Sequence, residues 1–134
     1  MDFKHEKDVK LFTTLAAPLI MIFADLYWYA KTKHGISLVV TSTVSTLEED
    51  IALRRTSSGH RDFRALDFRT KDLDAFIIED LVKYINNKPE YKKYHYMSNS
   101  GISRLAYLHG SGQNEHVHLC LHRKYSNNLA LISE

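Results

Sequence analysis

Three histidines and one aspartate are the residues of this chain whose types and spacing could do chemistry. His60 closes the stretch "TSSGH", Asp67 follows within "RALDFR", and His116 and His118 alternate in "NEHVHLCLH". Extended residues seven apart would be separated by more than about 20 Å, so a turn from loop into strand is needed to bring His60 and Asp67 together. On a strand, residues i and i+2 point to the same side, and two imidazoles buried on one face need hydrogen-bond partners or a metal. Two His and a carboxylate make a donor set suited to Zn2+. Three protein ligands leave the fourth position for water, which is the catalytic arrangement. Spacing leaves open which of His116 and His118 is the ligand. The chain has no His-Glu-x-x-His, and the inverted form fails because Gly112 stands where "GQNEH" would need a His.

The elements that must hold these residues follow from periodicity. Residues 6–33 read as one long helix bent at Pro18, with Gly35 as its stop behind Lys31, Lys33 and His34. "ISLVVTST" (36–43) is a β-branched run of strand length, and 44–59 reads as a loop or short helix. "RALDFR" (64–69) reads as a strand. The next stretch, "TKDLDAFIIEDLVKYINN", places Leu73, Phe76, Ile77, Leu81, Val82 and Ile85 on one helical face, with Thr70 or Asp72 as N-cap. Three short strands are expected at 94–97, 103–109 and 116–122, joined by Gly/Ser/Asn-rich loops at 98–102 and 110–115. Helix, strand, helix and antiparallel strands in that order predict a single α+β domain over 1–122 and a tail over 123–134.

Bulk composition narrows the function classes. The 134 residues carry 18 Lys and Arg against 16 Asp and Glu, a net charge of +2, with no basic stripe to argue for nucleic acid. One cysteine, Cys120, rules out an internal disulfide and gives no sign of an oxidising compartment. Leu11–Ala30 contains Asp25, Pro18 and two Thr, and its uninterrupted apolar run is shorter than a membrane span needs. It reads as a buried core helix, with no stable membrane association expected. The mixed-charge start "MDFKHEKDVK" is unlike a secretory leader, so a cytoplasmic location is expected, with another route of release if the protein acts outside.

The pattern Ser58-x-His60, then Ala65 two residues before Asp67, resembles the signature S-x-H-x-x-G-x-A-x-D. That signature belongs to D-alanyl-D-alanine carboxypeptidases and L-alanyl-D-glutamate endopeptidases, zinc peptidases of bacteria and phages. Their wider group includes lysostaphin-type enzymes and the hedgehog domain. Members end on a strand bearing the last His ligand, some with an acid three residues before it and others with His-x-His. Glu115 to His118 fits the first form and His116 to His118 the second. "LVVTST" resembles the strand that leads into the family's substrate loop, and the resemblance spans roughly residues 10–122. Two departures stand out. Phe63 occupies the signature's Gly, and Thr41–Ser45 lacks the Arg of the T-S-G-Y-R-like turn that holds a substrate carboxylate or the oxyanion. Arg54, Arg55 or Arg61 could substitute from the adjacent loop.

The resemblance implies an antiparallel sheet of about four to five short strands packed against two main helices. It also implies His60, Asp67 and His118 as Zn2+ ligands, with Glu115 as general base and His116 as its helper or as the base itself. The implied activity is hydrolysis of a peptide bond in peptidoglycan stem or cross-link peptides, as in a phage endolysin or small lytic enzyme acting on the wall after release. A second reading is a zinc-stabilised binding module of the same fold without activity, and a third is a virion or host-interaction protein whose histidines hold no metal. By residue type alone, Cys120 is expected to be a buried structural thiol, His109 a surface group, Tyr94, His95 and Tyr96 sheet residues, and Ser58 a shaper of the loop.

Overall fold

The computed structural model describes residues 1–126 of the chain. Most of the expected tail, residues 127–134, lies outside the described residues. Asp2–Phe3 (β1) pairs in parallel with Val39–Ser42 (β2), Asp2 against Val39 and Phe3 against Val40. Two helices fill the crossover that a parallel pair requires: Glu6–Phe12 (α1) and Ala17–His34 (α2). The expected single helix over 6–33 is therefore two, bent by 119°. Pro18 lies in the first turn of the second helix, where its missing N–H costs nothing. The amide of Ala16 in the break donates to the Phe63 carbonyl at 2.8 Å. Among the described residues no single helix is long and apolar enough to cross a membrane. The middle of α2 is core, with Leu19, Ile22, Phe23, Leu26 and Ala30 fully buried.

After β2 comes a short helix, Leu47–Ala52 (α3), started by a capping box in which Thr46 and Glu49 satisfy each other's backbone N–H groups. Ala65–Arg69 (β3) follows, then Ala75–Asn87 (α4). The N-cap of α4 is Asp74 rather than Thr70 or Asp72. Asp72 has φ of +67° in the preceding turn, and the Thr70 hydroxyl turns to Glu115. The buried stripe of α4 is Ile78, Leu81 and Ile85, while Phe76 is 65% exposed. The expected face is thus rotated: Ile78, absent from it, takes the inner position. Tyr96–Met97 (β4) and Ser103–Arg104 (β5) form a separate two-stranded antiparallel sheet. Ala106–His109 (β6) and His116–Cys120 (β7) complete the main sheet, whose order is β1-β2-β3-β7-β6.

The class is α+β, as expected, but the sheet is mixed rather than purely antiparallel. The cause is β1, two residues long and so too short to show a period in sequence. The remaining neighbours pair antiparallel, β2 with β3, β3 with β7 and β6 with β7. One sheet face packs against α2 and α4 through Val40, Leu66, Phe68, Val117 and Leu119, and Phe23 meets Phe68 with ring centroids 6.0 Å apart. The first residues of the tail are ordered on this body, as a 3-10 turn over Arg123–Tyr125 sets Tyr125 against Tyr94 with centroids 4.8 Å apart.

Candidate metal centre

Strand alternation places Asp67, His116 and His118 on the sheet face opposite that core. In the β3–β7 ladder Leu66 and Phe68 lie opposite Leu119 and Val117, while Asp67 lies opposite His118 and Arg69 opposite His116. The β6–β7 ladder adds Tyr107 opposite His118 and His109 opposite His116. Direct cross-strand neighbours share a face, so one side of the sheet is apolar and the other carries a carboxylate, three imidazoles and a phenol.

His60 reaches the same spot from the turn before β3. Ser58 donates its hydroxyl to Asp62 at 2.6 Å, and Phe63 takes φ of +63°, a conformation that costs a bulky residue strain. A Cβ on Gly59 would sit 3.1 Å from both the Ala65 Cβ and the Cys120 Sγ, so the turn needs a glycine there and a small residue at 65. The His60 ring is buried, and its Nδ1 donates to the Thr43 carbonyl at 2.5 Å. A carbonyl only accepts, so in the neutral ring that bond fixes the tautomer and leaves the Nε2 lone pair bare. Nε2 lies 3.3 Å from Asp67 Oδ1 and makes no hydrogen bond. His118 Nδ1 approaches the same oxygen at 2.8 Å. Ligand atoms of His60, Asp67 and His118 all lie within 4.8 Å of one another. The three residues could therefore hold a metal ion, and the orphaned Nε2 fits that role.

Thr43 is itself held from behind. Asp8, on α1 and 1% exposed, accepts the Thr43 hydroxyl at 2.5 Å and the Thr43 amide at 3.1 Å on one oxygen. The break between α1 and α2 thus matters to the site, because it sets Asp8 against β2. A carboxylate, a threonine and a histidine run in series toward the cluster.

Asp67 is the electrostatic centre. Burial pushes its pKa up, but the His118 hydrogen bond and the nearness of the His60 ring outweigh that and hold it well below the usual carboxylate range. Its second oxygen faces Arg55 at 3.6 Å and His116 Nε2 at 3.7 Å. Arg55 is aimed by Asp50 at 3.2 Å and by the Ser42 hydroxyl at 3.2 Å. Arg61 is bound to Asp50 at 2.8 Å and lies one layer farther back. Burial lowers the His118 pKa, against the pull of Asp67, so its ring favours the neutral form that a metal requires.

Glu115 stands apart. Its carboxylate accepts the Thr70 hydroxyl at 3.0 Å, and among the described residues no hydrogen bond or ion pair joins it to Asp67 or the histidines. His116 is the expected site residue in contact with the cluster. Cys120 is buried as expected; burial pushes its thiol up to about 11, and Arg64 donates to it at 3.0 Å.

No protein-family model, curated protein or solved structure matches this chain. The cluster's own geometry carries the functional reading. Three further residues border it: Arg55, one of the three arginines offered by the adjacent loop, at Asp67; Tyr107 against His118 with centroids 5.4 Å apart; and His109, exposed as expected, against His116 at 5.3 Å. The signal for the last two was present. Folding "AYLH" back on "HVHLC" about the Gly112–Asn114 turn pairs them with His118 and His116 directly. The cluster opens into a groove of about 1420 Å³ bounded by the loop after α3, the end of β3 and the β6–β7 turn.

Proposed function

We propose that the chain is a zinc-dependent hydrolase that cleaves a peptide bond, with peptidoglycan stem or cross-link peptides as its substrate. The observation that carries this reading is the His60 ring, whose Thr43 bond bares a buried Nε2 toward the oxygen that His118 also faces. His60, Asp67 and His118 would hold the ion, in agreement with the resemblance to the D-Ala-D-Ala peptidase group. The φ of +63° at Phe63 supports the same likeness, since the signature has glycine there. When bound, zinc supplies Lewis-acid polarisation of a carbonyl and a lowered pKa for water. Asp67 keeps its charge at neutral pH, and Thr43 keeps the His60 ring in its required tautomer. His116 is the group best set to carry a proton between water and the leaving amine, because its Nε2 already lies beside Asp67. Glu115, an acid three residues before His118, takes that role only by leaving Thr70.

A binding module of the same fold is the second reading, favoured by the engagement of Glu115 with Thr70. Metal content of the untagged protein, read by mass spectrometry beside a His60→Ala variant, tests the first step. About one zinc per chain is expected, lost in the variant; no metal in either would end the proposal. Purified sacculi with and without chelator then separate enzyme from binder, because only an enzyme releases new amine termini. In the same assay a fully active Glu115→Ala protein beside an inactive His116→Ala protein would identify His116 as the base.

A further inference from the structure

The groove that holds the cluster is lined by unpartnered cations. Every acid on its walls is engaged: Asp8 by Thr43, Glu49 by Lys7 at 2.8 Å, Asp67 by the histidines and Arg55, and Glu115 by Thr70. Among the described residues, four basic side chains on the same walls make no ion pair and no side-chain hydrogen bond: Lys4, Arg54, Arg69 and Lys71. Arg69 is the nearest in register, two positions beyond Asp67 on the same face of β3 and opposite His116. Arg54, with φ of +56°, lines the same groove from the loop after α3. The net charge of the chain is only +2, so this local excess is a property of the groove rather than of the surface at large.

The walls carry six Lys and Arg against four carboxylates, and an excess of one sign around a recess concentrates ligands of the opposite sign and sets partner choice. The groove is larger than the roughly 300–1,000 Å³ that a compact small-molecule pocket encloses. We infer that the groove selects an extended peptide bearing two or more free carboxylates, gripped by Arg69 and Lys71 at the end of β3 and by Arg54 in the loop after α3. This inference rests on the peptidase reading for calling that peptide a substrate; the binding preference stands on the cations alone. Nucleic acid is the disfavoured polyanion, because among the described residues Tyr107 is the single aromatic side chain, histidines aside, on the groove walls.

The test is fluorescence anisotropy on the full chain, both zinc-loaded and chelator-stripped. The probes are a short labelled peptide with glutamate at alternate positions, its glutamine-substituted twin and a labelled single-stranded oligonucleotide. The acidic peptide should bind about ten-fold tighter than its twin at low salt, with the difference shrinking as salt rises. In an Arg69→Gln/Lys71→Gln protein of unchanged zinc content and melting temperature, the preference should fall to about two-fold or less. Equal binding of the two peptides, a preference surviving in the double variant, or tighter binding of the oligonucleotide would each overturn the inference. A wild type that binds no zinc yet prefers the acidic peptide would sink the peptidase reading and support the groove's selectivity.

Discussion

Asp25 and Asp67 are two carboxylates with opposite surroundings. Asp25, on α2, accepts the hydroxyls of Tyr84 and Tyr91 at 2.7 and 2.6 Å and the Lys88 ammonium at 2.6 Å. Every partner is a committed donor, so the cluster is saturated, and its effect is to tie α2 to α4 and the turn beyond it. Asp67 is surrounded by imidazoles, one of which turns a bare lone pair toward it. Saturation marks a structural group, whereas an unspent lone pair beside a buried anion marks a place for a cation. Both carboxyl groups are held below their usual range despite burial, so a lowered pKa does not by itself separate the two roles.

The sharpest way to break the comparison is to exchange each carboxylate for an amide. Asp67→Asn should weaken zinc binding by more than about 100-fold, read by competition with a chromogenic chelator. Asp25→Asn should leave zinc affinity unchanged and lower unfolding free energy by about 2 kcal/mol, read by urea titration, through the loss of charge-assisted hydrogen bonds. Equal metal losses in the two variants would erase the distinction. A smaller effect is expected behind the site: Asp8→Asn should weaken zinc about 10-fold through the slackened Thr43 carbonyl, and an unchanged affinity would reduce Asp8 to a packing role. The smallest effect is a pH dependence. Burial raises the Asp25 carboxyl, but Lys88, Tyr91 and Tyr84 hold it below the usual 3.8. A depressed acid contributes stability above its unfolded pKa and loses it as pH falls through the folded value. The gap between wild type and Asp25→Asn should therefore be full above about pH 4 and close as the pH drops below it. A gap constant down to pH 2 would mean that Asp25 acts without its charge.

The candidate ligand residues were legible because their constraints are local. His60 and Asp67 lie seven positions apart across one turn, and the side shared by His116 and His118 follows from a period of two. What stayed hidden depends on long-range contacts. The separation of α1 from α2 rests on Ala16 meeting the Phe63 carbonyl, 47 positions away, and an apolar run offers no mark for it. The strand at Asp2–Phe3 exists only because β2 gives it an edge to pair with. Ile78 and Phe76 exchanged their expected places because α4 carries apolar residues on more than one stripe, and packing against α2 and β6 chose between them. Asp8 had no spacing to announce it, and none singled out Arg55 from Arg54 and Arg61, since each acts through a neighbour that belongs to another element.

The alternating ladder between β3 and β7 carries a consequence for folding fidelity. Slipping β7 by one residue would turn every side chain to the other face. His116 and His118 would enter the core beside Phe23 and Phe68, and Val117 and Leu119 would face the groove. Core and cluster are thus two readouts of a single pairing, and a misaligned chain forfeits both together. Compactness and helix content could survive such an error in a trapped species. The grouping of His60, Asp67 and His118 could not, so any ion uptake that depends on it would distinguish correctly threaded molecules from near-native impostors.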